Sequence, residues 1–424
     1  MSYYKEIKKE AGTTKKNKDA LRETVSAILS DVEVRGDDAV REYQTRFDRH
    51  TVESYRVSPE EAAAAKDALP GDIIETLDFA IRQVTTFAEK QRESMSEWEE
   101  YIAPGMRMGH RIVPVEAVGC YAPAGRYPCL TSAVMTVVPA KVAGVERIVA
   151  CSPPGADGKM NAGILYTMHK MDVDEIYCFG GAQAIGAYAY GTQTIDPVDL
   201  VVGPGNQYVA EAKRQVFGDV GIDFIAGPSE CLVLSDETGR PDYIAADLIA
   251  QCEHDTLARG CLVTTSKALG EQTLLEIDRQ LAERTTADTA GASWASHGSV
   301  IVTETIEDAA RYANEYAPEH LEVHATDPRA IMPMLRNYGS LFLGENTAEV
   351  YADKVAGPNH VLPTGRTARF GGGLWVGSYL KTMTHMETDV QASIQLAGHT
   401  VTQSNYEKMD AHRYAAAIRL DNLK

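Results

Sequence analysis

The feature that most constrains this chain is a series of short, continuously apolar runs separated by helical stretches. RIVAC (147–151), EIYCF (175–179), DLVVG (199–203), ECLVLS (230–235), CLVTT (261–265), SVIVT (299–303) and SLFLG (340–344) read as strands. Between them NQYVAEAKRQVFG (206–218), DYIAADLIAQCEHD (242–255) and TIEDAARYANEYA (305–317) carry apolar residues at helical spacing. A strand that is apolar at every position is buried on both faces, and the intervening helices are what cover those faces. The pattern predicts an α/β protein built on parallel sheets. At 424 residues the chain exceeds the roughly 250–300 at which a single core stops growing, so more than one domain is expected.

The regions flanking this pattern differ from it. Residues 18–101 read as polar helices. Ser58-Pro59-Glu60-Glu61 has a capping serine and a first-turn proline, and DIIETLDFAIRQVTTFAEKQRESM (72–95) has helical periodicity. Glycine-rich GRTARFGGGLWVG (365–377) marks a boundary before a tail read as helical to Lys424.

Charge and composition exclude several classes. A net charge of -19 disfavours nucleic acid and anionic membranes as partners. No run approaches the 18 or more apolar residues of a membrane span, and MSYYKEIKKEAGTTKKNKD at the start lacks the apolar core of a signal peptide. The seven cysteines form no C-x-x-C pair and fall mostly in apolar runs, which fits a reducing cytoplasm.

Four segments carry side chains suited to chemistry. In IAQCEHD (249–255) a helix would project Gln251 and His254 from one face, with Cys252 and Glu253 pointing elsewhere. Imidazole is a common zinc ligand and a glutamine oxygen an unusual one, and the pair alone fits a polar helix end equally well. In YAPEHLEVH (316–324) the adjacent Glu319 and His320 could divide proton-transfer work, or form an exposed dipeptide. YADKVAGPNHVLPTG (351–365) places Asp353, Asn359 and His360 in a Gly/Pro-rich loop, where Asp353 could complete a metal shell and His360 meet a substrate. Its alternative is a turn whose polar groups satisfy the backbone. FGGAQAIG (179–186) and VVGPGNQYVAEAKR (201–214) each follow a strand and open a helix, a place where backbone N–H groups meet phosphate. Neither is a strict G-x-G-x-x-G.

Taken together and in order, GGAQAI, GPGN-x-x-VAEAKR, AGPSE, ADL-x-x-Q-x-EH, YAPEHLE, AGPNHVLPT and DAH resemble the histidinol dehydrogenase family. The likeness extends from VRGDDAVREYQTRFD (34–48) to MDAHRYAAAIRL (409–420). It implies two NAD-dependent oxidations of an amino alcohol through a bound aldehyde, with one zinc ion per subunit. By motif the implied zinc ligands are Gln251, His254, Asp353 and His412, with His320 as base and Glu319 activating water. Implied substrate contacts are Ser229, His360 and Glu407, together with His320 and the four ligands; implied NAD contacts are Tyr121, Gln183 and Asn206. The resemblance further implies an intertwined homodimer in which Glu407 and His412 act in the partner's site.

The expected architecture is therefore two Rossmann-like parallel-sheet domains with a helical N-terminal segment and a helical C-terminal tail. The divisions are a segment 1–17, a first domain from 18–120 and 235–372, an NAD-binding domain 121–234, and a dimerisation tail 373–424. Some blocks depart from the family. GCYAPAGRYP (119–128) replaces a YVPGG form, Cys252 and Asp255 stand where Ala and Gly are frequent, and Arg366 stands where a small residue is common. GCYAPAGRYPCLTSAVMT and SLFLGE look closer to relatives that oxidise dihydroxypropane sulfonate to sulfolactate. Histidinol is the first expectation for the substrate, and that sulfonate the second. Arg366 would then favour an anionic substrate, or is a solvated loop residue. A catalytically silent metal- or nucleotide-binding paralogue is the remaining alternative, and the full acid–base and ligand set argues against it.

Overall fold

A computed structural model describes residues 4–9, 18–48, 54–124 and 127–423. It contains two compact units, one of residues 1–90 and 115–379 and one of residues 91–114 and 380–424.

The larger unit holds two sheets. In the five-stranded sheet the order is Glu175–Cys178, Arg147–Ser152, Ala117–Tyr121, Leu200–Val202, Gly221–Ile222, and every pair is parallel. The six-stranded sheet runs Tyr4–Lys8, Ser299–Thr303, Arg259–Thr264, Glu230–Ser235, His320–His324, Ser340–Leu343. All its pairs are parallel except the edge strand Tyr4–Lys8. Its strands alternate between two cores. Cys231, Val233, Leu262 and Val300 pack on one face, and Leu232, Leu234, Cys261, Val263 and Ile301 on the other. This two-sided burial is what the continuously apolar runs demand. The seven cysteines are all free thiols, six of them buried.

Strands also occur outside the apolar runs: in the N-terminal segment, at Trp98–Ala103 across the end of the stretch 18–101 expected to be helical, and in the tail. Tyr4–Lys8 pairs with Ser299–Thr303, its Tyr4 packing on one core and Ile7 on the other. Four polar or charged residues in that stretch and its neighbours concealed this period of two. The tail likewise opens with a strand, Leu380–Thr388, before helices Val390–Glu407 and Asp410–Leu423. With Met106–Pro114 and Trp98–Ala103 it forms the three-stranded antiparallel sheet of the smaller unit. The two outer strands, Trp98–Ala103 and Leu380–Thr388, are largely exposed, so their sequences lack the apolar runs that betray a buried strand.

The most consequential unread strand is His320–His324, buried at all five positions. Its Leu321 and Val323 join one core. Its His320 and Glu322 pair in register with Cys231 and Val233, so His320, Glu322 and His324 point to the opposite face. Three polar side chains on one buried face of a central strand are costly unless something satisfies them.

Candidate active site

The larger unit encloses a cavity of about 1150 Å³. Tyr121, Gln183, Asn206, His254, Asp353 and His360 all line it. Residues implied for cofactor, metal and substrate thus converge on one space. Gly125 and Arg126, within the departing GCYAPAGRYP block, lie outside the described residues.

The cofactor side is built at the carboxyl ends of the five-stranded sheet, where ligands of open α/β sheets usually bind. Tyr121 closes its strand, and its hydroxyl accepts a hydrogen bond from the Gly181 N–H at 3.2 Å. Gly181, at φ +75°, opens the helix Gly181–Tyr190 and holds a backbone conformation that side chains disfavour. Gln183 is buried and its Oε1 has no partner. Asn206 caps the helix Gln207–Val216, its side chain accepting from Tyr208 and Val209 N–H. The preceding Gly203, at φ +120°, approaches Tyr121 so closely that an added Cβ would lie 2.2 Å from its carbonyl oxygen. Buried Lys213 pairs with buried Asp223 and donates to the Gly203 carbonyl at 2.9 Å, pinning this loop. Two helix N-termini beside a close-packed glycine backbone and an unpartnered amide fit a dinucleotide.

The chemical side is built at the amino ends of the six-stranded sheet. Here the structure corrects the helix expected over 242–255. It spans Pro241–Cys252, so His254 sits on the turn just beyond it, its N–H donating to the Gln251 carbonyl at 3.3 Å. Gln251 and His254 therefore do not share a helix face; a turn brings His254 to the cavity. Gln251 is wholly buried, and neither Oε1 nor Nε2 finds a partner. Asp353 is the penultimate residue of the short helix Glu349–Lys354. Burial would raise its carboxyl, but the hydrogen bond from His360 and the nearby His360, Lys354 and His254 hold it well below the carboxylate range. His360 reaches Asp353 Oδ1 from Nδ1 at 3.1 Å and Ser132 Oγ from Nε2 at 3.2 Å. Burial lowers His254, which keeps its imidazole neutral and free to ligate. An ionised carboxylate, a neutral imidazole and an orphaned buried amide oxygen fit a zinc-like cation.

Glu319 and His320 are both buried, with His320 Nδ1 at 3.9 Å from Glu319 Oε2. Burial drives the Glu319 carboxyl well above its ordinary value, against the Glu230 N–H that it accepts at 2.8 Å. Burial lowers His320 to about 4, leaving a neutral imidazole. This is not an exposed dipeptide. Ser229 is half-buried immediately before the strand Glu230–Ser235, on the same edge as His320. Arg366 lines a second, smaller cavity with Glu230 and Arg259, and is not among the residues of the large one.

Glu407 and His412 lie in the smaller unit, exposed at the end of one helix and near the start of the next. The structure therefore brings ten of the twelve expected site residues into the larger unit and leaves these two in the other. Sequence reasoning missed Asp247, Glu322, His324 and Glu349. Their signal was positional, since each lies two or four residues from a residue already singled out.

A large cavity beside the helix N-termini at Gly181 and Asn206, with a buried carboxyl–imidazole pair in the same unit, suits an α/β oxidoreductase. Residues 12–420 match the model of the histidinol dehydrogenase family. A histidinol dehydrogenase homolog of Shouchella clausii is 40% identical over 99% of both chains. The histidinol dehydrogenase of Geobacillus kaustophilus is 44% identical over 94% of both. The crystal structure of histidinol dehydrogenase from Elizabethkingia anophelis superposes with a TM-score of 0.92 at 31% identity, covering 98% of this chain and 95% of that one. The chain belongs to the histidinol dehydrogenase family, NAD-dependent oxidoreductases that act on an alcohol. Among the described residues no helix is long and apolar enough to cross a membrane.

Proposed function

We propose that this cytoplasmic protein oxidises a polar primary alcohol, histidinol first, to the carboxylic acid, with two NAD and one zinc ion per subunit. The observation that carries the reading is the buried Glu319–His320 pair in the same unit as the unpartnered amide of Gln251. Gln251, His254, Asp353 and His412 would hold the metal, and Tyr121, Gln183 and Asn206 would hold NAD in a domain spanning 121–234. The bound metal supplies positive charge that orients the alcohol and the substrate's nitrogen groups. Ser229, His360 and Glu407 position the remainder of the substrate.

His320, whose buried Nδ1 makes no hydrogen bond, would take the hydroxyl proton, and NAD when bound would supply the hydride acceptor. Glu319, a stronger base for being desolvated, draws a proton from the water that adds to the aldehyde. The hydrated carbon would give up a second hydride, for which a second NAD would be the acceptor. One alcohol, one water and two NAD would thus become one acid, two NADH and the released protons. With limiting histidinol and excess NAD, two NADH per substrate is the expected count. A single NADH would sink the two-step reading. Turnover of dihydroxypropane sulfonate but not histidinol would move the substrate to the second candidate, which relatives named only as homologs leave open.

The exposed Glu407 and His412 fit a homodimer whose tails, 373–424, complete each other's sites. Mixing His412→Ala with Glu319→Gln subunits should then create activity that neither parent has. No recovery after verified subunit exchange would reject the shared site.

A further inference from the structure

Beneath the proposed catalytic layer the same three elements carry a second set of buried polar groups. Asp247 precedes Gln251 by one helical turn. Glu322 and His324 follow His320 on the same face of their strand. Glu349 precedes Asp353 by four residues and gives its backbone N–H to Glu322 Oε1 at 2.8 Å. Asp247, Glu322 and His324 present ligand atoms that all lie within 4.8 Å of one another. His324 Nε2 is 3.1 Å from Glu322 Oε2 and 3.9 Å from Asp247 Oδ2.

We propose that Asp247, Glu322 and His324 form a second divalent-cation site, distinct from the one that Gln251, His254 and Asp353 serve. Three features carry this. The spacing suits ligands around one ion: metal bonds of about 2.0–2.2 Å in tetrahedral array put neighbouring donor atoms roughly 3.3–3.6 Å apart, and the separations of 3.1 and 3.9 Å bracket that range. Two of the three ligands are incompletely satisfied, for both ring nitrogens of His324 and Oε2 of Glu322 are buried and make no hydrogen bond beyond their own close approach to one another. His324 is 1% exposed and Glu322 0%, so both lie out of reach of bulk solvent.

Charge argues the same way. Two carboxyl groups share this pocket, and the groups acting on Asp247 are burial and Glu322, which push its carboxyl upward. Buried carboxylates are costly unless they are neutralised or coordinate a metal. A 2+ ion would balance both and supply the bonds that His324 lacks. One imidazole and two carboxylates are a donor set for a transition metal such as zinc, manganese or cobalt, and not for a thiol-seeking one. The alternative is a proton shared between Asp247 and Glu322.

The test counts ions in the full-length protein. Chelator-stripped protein is reloaded with cobalt, desalted, and analysed for metal per chain, with circular dichroism verifying the fold of each variant. Two ions per wild-type chain are expected, and one in His324→Gln, in Asp247→Asn and in Gln251→Ala alike. The ion retained by Gln251→Ala should show a cobalt spectrum without thiolate bands. A wild-type chain that saturates at one ion, lost in Gln251→Ala, would overturn the proposal in favour of the shared proton. So would two ions retained in both His324→Gln and Asp247→Asn.

Discussion

The two parallel sheets of the larger unit meet the cavity from opposite ends. The five-stranded sheet offers its carboxyl ends, with glycine loops and the N-termini of helices Gly181–Tyr190 and Gln207–Val216. The six-stranded sheet offers its amino ends, with His254 lining the cavity beyond a helix end and Gln251, Glu319 and His320 buried at the same ends outside its lining. Helix N-termini carry partial positive charge and favour phosphate, whereas helix C-termini favour cations. One chain thereby sets an anion-favouring wall against a cation-favouring one. The first recruits backbone groups and tolerates few side chains, and the second depends on particular side chains.

That contrast can be broken first at its chemical wall. His320→Asn and Glu319→Gln should each lower kcat by about 10²–10⁴-fold at saturating NAD and alcohol, because each removes a group that moves a proton. A loss of only a few-fold, with fold intact, would leave the pair without its proposed roles.

At the cofactor wall the sensitive residue is structural. Lys213→Met strands the buried Asp223 carboxylate and should cost about 3–5 kcal/mol of stability in denaturant unfolding. The exposed pair Arg107–Glu387 of the smaller unit is the control, and Arg107→Ala should leave the unfolding midpoint in place. Equal effects from the two would remove burial as the deciding variable.

Acid should separate the walls more gently. His320 sits at about 4 when folded against about 6.5 unfolded, so between these values the unfolded chain holds the extra proton. Its contribution is complete above about pH 6.5 and is lost as pH falls through about 4. Glu319 has the opposite sign, raised when folded, and costs stability as pH rises above its ordinary value. The melting temperature of His320→Asn should therefore fall less than that of wild type over this acid range. Parallel curves would show that His320 is not held neutral by the fold.

The smallest effect is expected at Arg366. Placed at the second cavity, Arg366→Ala should leave the ratio of sulfonate to histidinol turnover unchanged. A shift of that ratio would restore the residue to substrate choice.

What could be read from the chain followed from how strongly burial selects residue type. ECLVLS and SVIVT are strands at the bounds expected, because a strand buried on both faces admits little but apolar residues. WEEYIA and LKTMTHMET, exposed along most of their lengths, carry no such mark. HLEVH escaped for the opposite reason: it is wholly buried yet polar on one face, a violation of the pattern that the proposed site roles would account for. Likewise the Q-x-x-H spacing suggested one helix face, while the actual helix stops at Cys252 and a turn delivers His254.

Sequence alone thus determined the α/β class and, through motif order, the family, and it nominated the side chains proposed for its chemistry. Only the tertiary structure decided that Gln251 is buried with an empty-handed amide, that Glu407 and His412 stand exposed in another unit, and that Asp247, Glu322 and His324 converge. Local sequence sets which groups a chain possesses and which faces must be buried. Desolvation and convergence depend on what distant segments pack against those faces, and one-dimensional spacing does not contain that information.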